Sequence, residues 1–145
     1  MNPVKAWWTK ICEPLDGFLW HRDISHPIIR PLLRNEIMAG GFALLAGAAL
    51  YAVFPWLFWF ACGFVCMVWI FWSWTRFFMR SPLDQYGLTL LRAVFAHFGL
   101  RLAIFAALLY VAMALFQAPA DAIIAGMLLS GLLALATYAW HLRQA

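Results

Sequence analysis

Residues 56–74 read WLFWFACGFVCMVWIFWSW, nineteen positions without a single charge. As a helix rising about 1.5 Å per residue, this run matches the ~30 Å hydrocarbon layer of a bilayer. It is crowded with aromatic rings, and its small face is limited to Cys62, Cys66 and Ser73. A soluble core helix would need polar positions that this run lacks. On the N-terminal side, across a very short turn at Pro55, a second apolar run covers about Ile37–Phe54. So short a turn leaves only an antiparallel hairpin.

The rest of the chain repeats the pattern. A loop carrying Arg76, Arg80 and Asp84, with Pro82 and Gly87 as breakers, leads to a third apolar run over about Leu88–Phe116. This run is longer than lipid requires, so it tilts or stands partly in water. Ala118-Pro119-Ala120-Asp121 makes the next turn, and a fourth run covers about Ala122–Trp140. The expected fold is therefore an all-α membrane protein with four transmembrane helices in two antiparallel hairpins. Composition agrees: 66% of the 145 residues are apolar and 11% charged, against about 25% charged in ordinary soluble domains. Two domains follow, a cytoplasmic N-terminal segment (1–34) and a transmembrane region (35–145). No repeat of 20–50 residues is evident.

Within 1–34, Trp7, Trp8, Ile11, Leu15, Phe18 and Leu19 recur at helical spacing, with Lys5, Lys10, Glu13 and Asp16 between them. The pattern predicts an amphipathic helix over 2–20 lying in the membrane interface, where Trp is favoured. Residues 21–34 are basic and broken by Pro27 and Pro31, one of which opens the helix entering the first span. No cleavable signal peptide is expected, because no uncharged apolar core precedes position 37. Three cysteines (Cys12, Cys62, Cys66) at unpaired spacings argue against a disulfide framework.

The net charge of +4 reads as orientation rather than nucleic-acid binding. Five Lys and Arg fall in the N-terminal segment, two in the central loop and one in the tail, while the turns after the first and third spans carry none. Both termini are expected in the cytoplasm.

Arg101 is the most informative single residue, a cation with apolar sequence from Leu102 to Leu115 beyond it. Such a charge costs about 2.5–3.5 kcal/mol at mid-bilayer and is by default functional. The other placement is near the edge, with the guanidinium snorkelling to the interface. His97 shares its helix face, and Glu36 is the one acid at a comparable level, so an Arg101–Glu36 contact is a working hypothesis. A carboxylate on a partner protein is the other candidate. Ala39, Ala43 and Gly47 on the first span, and Ala122, Gly126, Ser130 and Ala134 on the fourth, form small-residue faces suited to close helix approach.

Catalysis is not expected: the sequence offers no Ser-His-Asp set, phosphate loop or paired carboxylates. Cys62, Cys66 and His97 match no metal motif, and a haem held by His97 and His141 would need both at one depth. Neither metal nor cofactor is expected.

The segment from Gly99 through Pro119 to Gly126 (GLRLAIFAALLYVAMALFQAPADAIIAG), with Gly63 in the second span and Arg76 and Arg80 closing it, resembles the bacterial ATP synthase subunit I family, over about residues 32–142. The resemblance implies a non-enzymatic assembly factor of the inner membrane that assists formation or stability of the c-subunit ring. Its partners would be the c subunit or the membrane sector and the lipid bilayer, and a homo-oligomer is a further expectation. Arg101, His97, Glu36, Ala39, Ala43, Gly47, Gly126, Ser130 and Ala134 would then face the partner, and Trp7, Trp8, Ile11, Leu15 and Phe18 the membrane interface. Many members carry an acid just ahead of the basic residue in the third span, where this chain has His97, Phe98 and Gly99. Its loss argues against the divalent-cation conduction proposed for the family. The alternatives are a small oligomeric Mg²⁺ or Ca²⁺ transporter or channel, and an accessory subunit of a respiratory complex.

Overall fold

The computed structural model describes residues 3–22, 24, 26–80 and 87–144, and every regular element among them is helical. The helices are α1 (Pro3–His21), α2 (Ile29–Ala49), α3 (Pro55–Arg80), α4 (Leu88–Phe116) and α5 (Ala120–Gln144). Proline marks their beginnings, where a missing N–H costs nothing: Pro3 and Pro55 are first residues, Pro31 lies in the first turn of α2, and Pro119 precedes α5. At the end of α4, Gln117 takes the left-handed conformation (φ 49°) that closes a helix C-terminus. Asp84 and Pro82 lie outside the described residues.

Three segments are long and apolar enough to cross a membrane, Pro55–Met79, Val94–Phe116 and Ala120–His141. They fit a membrane protein. α2 falls short of that standard because Arg34, Asn35 and Glu36 lie inside it and it stops at Ala49. Residues 50–53, read as the end of the first span, are instead a turn closed by the Val53 and Phe54 amides on the Leu50 carbonyl.

α3 is the centre of the packing, with α5 on one side and α2 on the other. Glycine makes both approaches close. Gly47 of α2 lies against the Phe58 backbone, where an added Cβ would stand 2.8 Å from Cα. Between α3 and α5 the contact is closer still: a Cβ on Gly63 would overlap the Ile123 carbonyl, and one on Gly126 the Phe60 carbonyl. Gly47 opposite Phe58 and Gly40 opposite Phe64 run α2 antiparallel to α3, while Trp56 beside Asp121 and Phe71 sharing a groove with Tyr138 run α3 and α5 parallel. α4 has no extensive contact with any other helix among the described residues. It leans on α3 through Phe116 against Trp59 and Phe98 against Trp74. α4 and α5 follow one another across a tight turn without packing along their lengths, so the second pair does not close as the first does. One end of the bundle thus carries the 50–54 turn and Asp121, whose carboxylate accepts the Trp56 indole N–H at 2.9 Å (the turn end). The other carries α1 and the C-terminus (the terminal end).

α1 is fastened to the bundle. Leu19 and Ile24 are buried with Leu33 of α2, beside Ile29, Ile37, Phe71 and Trp72. Phe18 stacks on Trp72 at 5.7 Å yet stays half-exposed, and Leu15 is half-buried. The side chains of Trp7, Trp8 and Ile11 lie outside the described part. Arg34 donates to Asp16 at 2.8 Å, the two being 21% and 32% exposed. Arg34→Glu is expected to lower stability by up to about 1 kcal/mol, the usual scale for a partly solvated pair. Thermal unfolding in detergent should show Asp16→Arg in the same chain restoring it.

Candidate functional site

Arg101 and Glu36, expected at a comparable level, take different partners at different levels of the bundle. Arg101 donates through Nη2 to Nε2 of His97, one turn before it on α4. His97 stacks on Phe77 of α3 with ring centroids 5.0 Å apart. Phe77 is twenty-two residues from Pro55, about 33 Å along α3, which places the pair close to the terminal end of that helix. A helical side chain slants toward its helix N-terminus, and for α4 that is the terminal end. The Arg101 guanidinium therefore reaches back along α4 toward the terminal end.

Glu36 is the deep charge. It is fully buried, thirteen residues and about 20 Å below the Ala49 end of α2. Ser130 of α5, also fully buried, donates its hydroxyl to Oε2 at 2.7 Å. Ser130 is ten residues beyond Ala120, about 15 Å from the turn end, so both partners stand well inside the bundle. Oε1 of Glu36 has no partner. The Arg101–Glu36 contact is not made: each residue is bonded to another group, and the two lie at different depths.

The small residues on α2 and α5 are used inside the chain. Gly47 and Gly126 receive α3, Ser130 holds Glu36, Ala122 and Ala134 are buried, and Ala39 and Ala43 are partly so. A third set, at intervals of three and four, was equally legible in sequence. Ala96, Gly99, Ala103 and Ala107 lie within one side of α4, and all four are exposed. A Cβ on Gly99 would meet nothing within 4 Å. This small-xxx-small face points away from α3 and suits another helix.

On its opposite side α4 stands off α3 around an apolar slot of about 250 Å³. Trp59, Cys62, Gly63 and Cys66 form the α3 wall, and Phe105 and Leu109 begin the α4 wall. Cys62 and Cys66 thus face the slot as free thiols, while His97 is turned to Phe77 and Arg101. No group of three or more His, Cys, Asp and Glu side chains converges on a metal position among the described residues. Comparisons with protein-family models, curated proteins and solved structures find no match.

Proposed function

We propose that this chain is a non-enzymatic assembly factor of the bacterial inner membrane that uses α4 to hold a helix of a membrane partner. The observation that carries the reading is the isolation of α4, an apolar helix without extensive contacts among the described residues and with an exposed Gly99/Ala103/Ala107 face. Between helices in lipid, close backbone approach is a main source of attraction, and small residues permit it. α2 is the fourth span, its Glu36 buried against Ser130 rather than exposed to lipid. Both termini lie in the cytoplasm, as the Lys and Arg distribution requires.

The partner we propose is the c-subunit ring of ATP synthase, which the resemblance over residues 32–142 supports. Ring subunits are helical hairpins that must be held in register while the ring closes. Arg101 lies too near the membrane edge to neutralise a carboxylate at mid-depth, so the reading rests on the face of α4. Gly99→Leu with Ala103→Leu is expected to cut recovery of the partner with the tagged protein at least tenfold after mild-detergent purification. Yield and melting should not change, since the added atoms meet no neighbour. Undiminished recovery with this variant would sink the α4 reading.

A further inference from the structure

We propose that the cleft between α3 and α4 binds one anionic phospholipid, its phosphate on Arg101 and His97 and an acyl chain in the slot beyond them. Three observations meet here. The first is charge. Arg101 spends one N–H on His97, and a guanidinium has five. Among the described residues the one ion pair is Arg34–Asp16, so the Arg101 cation has no carboxylate beside it. Its level, at the edge of the hydrocarbon layer on the terminal end, is that of a lipid phosphate. Basic pockets between transmembrane helices at this level are recurrent anionic-headgroup sites.

The second observation is alignment. Val94, Phe98 and Arg101 of α4 close on Trp74 and Phe77, leaving no room for a water molecule between them. One turn beyond Arg101, Phe105 opens the larger slot, which follows the same face of α4 as far as Phe116. Headgroup contact and slot therefore lie in line along the bilayer normal, as a lipid does.

The third is size. From Phe105 to Phe116 the slot runs eleven residues, about 16 Å, and holds about 250 Å³. That length and the apolar lining suit a single hydrocarbon chain. Cys62, Gly63 and Cys66 are what keep the α3 wall low enough to leave the space. This inference is independent of the partner proposed for the other side of α4.

The test uses the full chain, purified and stripped of lipid in detergent, then offered phosphatidylglycerol or phosphatidylcholine. Native mass spectrometry should show one phosphatidylglycerol retained at least fivefold over phosphatidylcholine. R101Q should bring retention down to the phosphatidylcholine level. Ala112→Phe, which fills the slot and leaves Arg101 in place, should lower retention of phosphatidylglycerol as well. Phosphatidylglycerol with a photoreactive acyl chain should mark peptides covering 59–66 and 105–116. Equal retention of the two lipids, an R101Q variant that binds as before, or labelling spread evenly over the outward faces of α5 would each overturn the proposal.

Discussion

Gly126→Leu is expected to break the bundle, lowering its stability by about 3 kcal/mol or more, the upper range for overpacking a close contact. The reason is backbone geometry. A side chain at 126 would grow into the Phe60 carbonyl, and the facing Gly63 allows no retreat because its own Cα lies against Ile123. Neither obstacle is a flexible side chain that could rotate aside, so α3 and α5 must separate. That separation would also remove Ser130 from Glu36. Gly41→Leu is the control: its Cβ meets nothing within 4 Å, and its stability should stay within about 0.5 kcal/mol of the parent. Denaturant unfolding in micelles, followed by circular dichroism, compares the two directly.

Ser130→Ala is expected to cost about 1–3 kcal/mol, the penalty for a buried polar group that loses its hydrogen bond. Oε1 of Glu36 already lacks a partner, so the substitution leaves the whole carboxyl group unsatisfied inside the bundle. Glu36→Gln keeps an acceptor for the Ser130 hydroxyl and should be close to neutral. Glu36→Met combined with Ser130→Ala removes both polar groups, and buried pairs replaced by apolar side chains are often neutral or stabilising. The double variant should therefore recover most of the loss seen in Ser130→Ala. A non-additive cycle of this kind identifies the pair as one unit; additive losses would show that the two residues act separately.

Much of the helical pattern was legible in the chain because its breakers are local. Gly87 and Pro119 bracket α4, and the expected 88–116 coincides with the helix. The end of α2 was less visible because the turn after it, Leu50-Tyr51-Ala52-Val53, is as apolar as the helix before it. Hydropathy reports the solvent, not the hydrogen bonding. The small-residue faces of α2 and α5 were readable as packing faces, but spacing does not say what packs on them. In the structure α3 does, through Gly63, Phe58 and Phe60. The comparable level expected of Arg101 and Glu36 failed for a related reason. Position along the chain suggests depth, while side-chain direction moves Arg101 toward the terminal end and the register of α2 against α5 places Glu36 opposite Ser130. An amphipathic stripe likewise does not distinguish lipid from protein, and in α1 Leu19 is packed on α2.

The isolation of α4 is the central point of the functional account. Its most direct test is a photoreactive amino acid placed at position 103, irradiated in intact native membranes, with the cross-linked products identified by mass spectrometry. The account predicts one dominant adduct with a small helical-hairpin membrane protein, and specifically with the c subunit of ATP synthase. Adducts only with lipid, or only with α5 of the same chain, would contradict it.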